Sequence, residues 1–327
     1  MIYVSLLKTV QQKSAIPPYR QWFEDAWVRA GGETRRNNVP NRIRQIAMKT
    51  GLTFSSERLK SKREAVFIFG GCYPDTISFP FQYRYEIIPY LIDTWPEYWP
   101  RLFRFIRRNN VKICFVSQRQ MCAEIEARFP SVQVFHMPEG VCTTAYSAGL
   151  ELKERNTDVL ELGRRHLKVH DLIVRAKING LRRHLFETNR LVFATDEAFI
   201  RGLADSKIAL CFPQSMTHPK RTGGIETLTL RYWECMLART IILGRAPREL
   251  VSLIGYNPVV EIDFDRVPQQ IEDILTRIES YQPSVEANYQ AALKYGSWDI
   301  RIAEIQRILS TRGYQLNGCS AFSEKRG

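Results

Sequence analysis

Apolar residues in this chain fall into short unbroken runs, and stretches of helical periodicity separate them. An unbroken apolar run of strand length is the pattern of a strand buried on both faces, as in a parallel sheet. In the first part of the chain such runs lie at 2–7, 65–69, 87–92, 111–116 and 132–136. Helical patterns lie between them. The spacing predicts a helix over 19–30, with Trp22, Phe23, Ala26, Trp27 and Ala30 on one face. The pair Gly31–Gly32 stops it. A second helix is predicted over 39–50, opening at Pro40 and ending at Gly51. A third covers 96–108, where Trp99, Leu102, Phe103 and Ile106 alternate with Arg101, Arg104, Arg107 and Arg108. A fourth covers 119–128. Alternating strand and helix imply a mostly parallel sheet.

Residues 137–148 carry turn and small residues without periodicity, and the pattern restarts after them. Strands are predicted at 158–161, 190–195, 207–213, 240–243 and 259–262. Helices are predicted at 170–179, at 196–205, from about 227–229 onward, and at 268–281. A long helical region, 284–312, is interrupted near Gly296 and Ser297. The expected class is α/β: two Rossmann-like domains with a cleft between them and a long C-terminal helical segment. The expected domains are 1–140 and 141–315, with a flexible tail over 316–327. In open α/β sheets, ligands bind at the carboxyl ends of the strands. Gly163, Thr195, Pro213 and Gly244 fall at such ends in the second half.

Composition narrows the class. With 327 residues the chain can build two cores. It has no apolar run long enough to span a bilayer, and its N-terminus reads as a core strand rather than a leader. Cys72, Cys114, Cys122, Cys142, Cys211, Cys235 and Cys319 are scattered, which fits reduced thiols in the cytoplasm. No CxxC motif or Cys/His ligand cluster is visible, so no structural zinc site is expected. The net charge of +13 favours polyanionic partners, or else is a solvated basic surface. The helix at 96–108 is either a sheet-covering helix with a basic solvent face or a surface for an anionic membrane. No nucleic-acid partner is expected, because the aromatic residues cluster apart from the charge and no known module is present.

Three constellations can carry chemistry. Gly163-Arg164-Arg165, with Lys168 behind it, follows a strand. Glycine lets the backbone turn close to a ligand, and guanidinium groups bind phosphate oxygens in pairs. Gly223 and Gly224 precede a helix N-terminus at Leu228 and Thr229, where free N–H groups and the helix dipole favour a phosphate. Arg221 or Arg231 could assist. Third, Glu226 and Glu234 sit eight apart, and Glu234 lies in an otherwise apolar helix. A carboxylate there is costly unless partnered. A ribose diol is one suitable partner; a salt bridge to Arg231, Arg239 or Arg245 is the other.

At these residues the second half resembles the retaining glycosyltransferases of GT-B fold, the "glycosyl transferases group 1" type, and looks closest to the divergent spore-coat glycosyltransferase-like branch. The resemblance rests on DVLELGRR (158–165), SKIALCFP (206–213) and GGIETLTLRYWECMLARTIILGRAPREL (223–250). That family carries two glutamates with seven residues between them, the spacing of Glu226 and Glu234. Its linker motif is similar to Pro138-Glu139-Gly140-Val141-Cys142, with Cys142 in place of the linker aspartate. The segment TLTLRYW stands where the family is glycine-rich.

The resemblance implies a hexosyl or related transfer from a nucleotide diphosphate sugar, with retention and without metal or other cofactor. The acceptor would be a glycan, a lipid-linked glycan or another cell-surface molecule, as in polysaccharide biosynthesis. The location would be cytoplasmic, including the inner membrane face. Glu226, Arg164 and Lys168 would be catalytic. Arg165, Thr195, Pro213, Ser215, Gly223, Gly224, Leu228, Thr229, Arg231 and Glu234 would bind the donor, Glu234 through the ribose. The alternative is a catalytically inactive GT-B-like binding or partner protein.

Overall fold

The computed structural model describes residues 1–8, 19–49, 60–187 and 191–318. Among these residues twelve strands form: β1 (Ile2–Lys8), β2 (Thr34–Arg36), β3 (Glu64–Gly70), β4 (Glu86–Leu91), β5 (Ile113–Val116), β6 (Gln133–His136), β7 (Thr157–Glu161), β8 (His184–Phe186), β9 (Ser206–Cys211), β10 (Ile241–Gly244), β11 (Val260–Glu261) and β12 (Tyr314–Leu316). They make two sheets, parallel throughout. The described residues divide into two compact units: those up to 139 together with those from 298 onward, and those within 140–297.

The first unit holds the sheet β12-β1-β3-β4-β5-β6, with β2 also paired to β1. Its apolar runs are unbroken because both faces are covered. Alternate residues of a strand point to opposite faces. Phe67, Phe69 and Tyr90 pack against Phe23 and Trp27 of the helix Tyr19–Arg29 and Trp298 and Ile302 of the helix Trp298–Ser310. Val66, Ile68 and Leu91 pack against Leu102, Phe105 and Ile106 of the helix Trp99–Asn109. That helix therefore covers the sheet, and Arg104, Arg107 and Arg108 face solvent. The aromatic core is specific: Phe23 stacks on Phe69 at 4.3 Å and meets Trp298 edge-on at 5.2 Å.

The C-terminal segment corrects the expected division. Its last helix and β12 belong to the first unit, and β12 pairs β1 through Ile2 and Tyr314. Amphipathic periodicity shows that a helix covers a sheet, not which sheet. The tail is ordered through this strand, and residues 319–327 lie outside the described residues.

The second unit holds the sheet β11-β10-β9-β7-β8. Val159, Ile208 and Leu243 pack against Val169 and Ile173 of the helix Leu167–Arg175 and Ile271 and Ile274 of the helix Val267–Thr276. The helix Leu230–Leu237 packs on β9 and β10. The carboxyl ends of the strands, at Glu161, Phe186, Cys211, Gly244 and Glu261, share one edge. Gly244 is required there: a Cβ would lie 1.9 Å from the Cys211 carbonyl oxygen. Two expectations fail in this unit. The strand expected over 190–195 does not form at 191–195, and Arg190 lies outside the described residues. The strand that does form is β8, a three-residue edge strand too short to show a period. The helix expected at 170–179 spans Leu167–Arg175 instead. Among the described residues no helix is long and apolar enough to cross a membrane.

Candidate active site

The helix Leu230–Leu237 buries Tyr232, Trp233, Cys235, Met236 and Leu237, and with them Glu234, which is 4% exposed. A bare carboxylate would be costly at that depth, so its partners matter. Oε1 accepts a hydrogen bond from the Tyr146 hydroxyl at 3.0 Å, and Oε2 lies 3.2 Å from Arg231 Nη1. The Arg231 guanidinium also rests 4.9 Å from the centre of the Phe199 ring. Of the three arginines considered for Glu234, Arg231 is the one it pairs with. Burial and the neighbouring Glu234 charge push the Tyr146 hydroxyl far above its ordinary pKa, so it remains a donor. Burial pulls Arg231 down, but the Glu234 carboxylate leaves it above its ordinary value.

Glu226 stands before this helix, half-buried, with Oε2 accepting from the Arg248 amide at 3.0 Å. It lines a cavity of about 580 Å³ together with Met216, Arg245, Arg248, Ser252 and Glu261. Arg245 bridges to Glu261 at 2.9 Å. The loop leading to Glu226 is built from two single-turn helices, Gln214–Thr217 and Pro219–Thr222. Gly223 ends the second in the left-handed region, and Gly224 follows at φ 81° with open space above it. Two buried polar atoms here have no hydrogen-bond partner among the described residues: Gln214 Nε2 and Thr227 Oγ1. Unpaired donors and acceptors at a strand end are what a polar ligand would satisfy.

One donor-side expectation is overturned. The Leu228 amide is not free for a phosphate, because it donates to Glu249 Oε2 at 3.0 Å, and Glu249 is itself buried. A carboxylate already occupies the position proposed for the anion. The Thr195 hydroxyl accepts from the Ala198 amide at 3.2 Å and caps the helix Asp196–Ala204. Thr229 holds the N-cap position of its helix without a side-chain cap bond. Pro213 holds the same position before Gln214–Thr217, and Ser215 is half-buried in that turn.

The basic loop follows β7. Gly163 turns the chain at φ 67° with open space around it. Arg164 and Lys168 are exposed, and Lys168 Nζ lies 5.8 Å from the Phe264 ring centre. Arg165 Nη1 lies 3.1 Å from His170 Nε2, and its guanidinium is 5.7 Å from the Phe186 ring centre. His170 Nδ1 and His184 Nε2 lie 2.8 and 2.7 Å from the same oxygen, Oε1 of buried Glu161. Glu161, His170 and His184 bring one ligand-type atom each within 4.8 Å of the others. Their separations of nine and 23 residues match no ligand spacing, and the fold brings them together. Tyr146 and Glu249 were likewise invisible beforehand, since their partners lie 88 and 21 residues away.

No family model matches the sequence, and no curated protein matches it. Solved structures do. HepE of Anabaena, determined in complex with UDP and glucose, matches with a TM-score of 0.61 at 11% identity, over 95% of this chain and 100% of its own. Sucrose-phosphate synthase from Thermosynechococcus elongatus matches with a TM-score of 0.61 at 11% identity, over 96% and 99%. AviGT4, a glycosyltransferase involved in Avilamycin A biosynthesis, matches with a TM-score of 0.54 at 14% identity, over 95% and 99%. TarM matches with a TM-score of 0.51 at 9% identity, and this chain spans 55% of its length. These likenesses establish the fold as GT-B, with two Rossmann-like domains.

Proposed function

We propose that this chain is a glycosyltransferase that moves a sugar from a nucleotide diphosphate sugar to a glycan, lipid-linked or other cell-surface acceptor. The observation that carries the reading is Glu234. Its buried carboxylate already accepts one hydroxyl, from Tyr146, and a ribose diol presents the same donor chemistry. HepE, of the same fold, is known with UDP and glucose bound.

In this reading the glycosidic bond from C1 to the diphosphate oxygen breaks, and the electron pair leaves with the nucleoside diphosphate. A new bond forms from C1 to the acceptor oxygen, which gives up its proton. Negative charge grows on the leaving phosphate while the sugar gains oxocarbenium character. Arg164, Arg165 and Lys168 would meet that charge, and fixed cations in place of a metal are worth most where water is excluded. Glu226 would hold the hydroxyls of the transferred sugar, beside Gly223 and Gly224. Gln214 and Thr227, in the same loop, carry buried polar atoms without a partner among the described residues. Pro213 and Ser215 would lie against the base. The anomeric configuration is retained.

The second reading, a binding protein of this fold without transfer activity, draws on Glu249 sealing the Leu228 amide. A thermal-shift panel of UDP, GDP, ADP and dTDP, followed by turnover with the matching sugar nucleotides, separates the two. Binding with donor consumption supports transfer; binding without consumption at any acceptor supports the second reading. Failure to bind any nucleotide at millimolar concentration removes both.

A further inference from the structure

The basic loop contains more than three cations. Glu161, His170, His184 and Arg165 form one hydrogen-bonded chain, and the chemistry of its members sets where each proton sits. A guanidinium is only a donor, so the Arg165 contact needs a lone pair on His170 Nε2. His170 is therefore neutral with its proton on Nδ1, and that N–H donates to Glu161 Oε1. His184 donates to the same oxygen from Nε2. Each hydrogen bond strengthens the next, because the carboxylate charge makes His170 Nε2 a better acceptor. The rings are fixed by packing: Phe186 meets His170 edge-on at 4.8 Å and lies 4.9 Å from His184.

The same three side chains look like a cation site, and the wiring speaks against one. A metal at the centre would need lone pairs on His170 Nδ1 and His184 Nε2. The proton of His170 would then move to Nε2, where it would oppose the Arg165 N–H. Arg165 and a metal thus compete for one imidazole, and Arg165 occupies it.

We infer that Glu161 and His170 are positioning residues that hold the Arg165 guanidinium at the carboxyl edge of the second sheet to bind a diphosphate. The inference rests on the glycosyl-transfer reading for its ligand, while the chain itself is independent of it. His170 takes one N–H of Arg165 and the Phe186 face supports the plane; the remaining N–H groups have no hydrogen-bond partner among the described residues. A planar fork fixed at one corner can give two parallel bonds to phosphate oxygens without first losing its side-chain freedom.

Two measurements test this on the full chain. The first is nitrogen-15 NMR of the histidine rings without ligand. The expected result is the Nδ1–H tautomer for His170, with an Nε2 resonance that moves in R165A, and no change on adding Zn(II). An Nε2–H tautomer, or stoichiometric Zn(II) binding lost in H170N, overturns the chain. The second is a double-mutant cycle on the affinity for whichever of UDP, GDP, ADP or dTDP binds tightest. H170N keeps a donor toward Glu161 but lacks the Nε2 acceptor. R165A should weaken binding about tenfold or more, H170N by a smaller factor, and H170N should add nothing in the R165A background. Equal losses in both backgrounds would mean a merely structural histidine and would sink the positioning role. If wild type binds no nucleotide while the tautomer is as expected, the glycosyl-transfer reading fails and the chain stands without its ligand.

Discussion

Of the two partners that the sequence left open for Glu234, the ion pair to Arg231 is present, and the Tyr146 hydroxyl binds the other carboxylate oxygen. Removing its charge and removing its hydroxyl partner should have different effects. E234A would strand Arg231 in the interior, a loss of about 3–5 kcal/mol by analogy with broken buried pairs, so it reports on folding. E234Q keeps the shape and one acceptor. It should weaken nucleoside diphosphate binding by roughly tenfold with a smaller change in unfolding midpoint, read by calorimetric titration beside urea denaturation. Y146F removes the competing hydroxyl and should leave that affinity intact or improved; a loss as large as that of E234Q would show that Tyr146, not the carboxylate, is the ligand contact. The carboxylate pair was legible as a spacing on an apolar helix. Tyr146, Glu249 and the histidine chain were not, because hydrogen-bond partners far apart in sequence leave no periodic trace.

Elements were legible wherever burial on both faces made the pattern continuous. β3, β4, β9 and β10 read directly from their apolar runs. β8 and β12 are three residues each at sheet edges, and no period can show in so short a strand. What pins the elements of the second unit together was also hidden. Arg155, 3% exposed, donates to the carbonyls of Ala148, Leu150 and Ser206 and to the Thr240 hydroxyl. One guanidinium thus ties a loop to the starts of β9 and β10. Burial pulls its pKa down to about 10, still charged at neutral pH. R155M would leave those acceptors unpaired, and we expect a loss of about 2–4 kcal/mol, measured by urea unfolding. A loss under about 0.5 kcal/mol, the range of ordinary surface changes, would mean that water replaces the guanidinium easily.

At the scale of the molecule, two α/β units were legible from alternating strand and helix, but the assignment of the last helix was not. The first and last strands among the described residues lie side by side in the first sheet, β12 beside β1. The first unit therefore needs its C-terminal segment to complete its core. Trp298, 1% exposed, meets Phe23, Phe69 and Tyr90. W298A should cost about 3–5 kcal/mol and lower the unfolding midpoint of the first unit while leaving the nucleotide affinity of the second largely unchanged. If W298A instead abolished nucleotide binding in still-folded protein, the division of labour between the units would be wrong.

The central claim is transfer from a sugar nucleotide. The most direct measurement incubates the full chain with a panel of sugar nucleotides and candidate acceptor glycans and follows donor loss and product by NMR. One donor should be consumed, releasing one nucleoside diphosphate per product and giving the same anomeric configuration in product as in donor. The R164A/R165A variant should lose at least about 100-fold in rate, as for lost transition-state charge stabilisation, while keeping its fold. No donor bound or consumed at millimolar concentration, or full activity in that variant, would contradict the account.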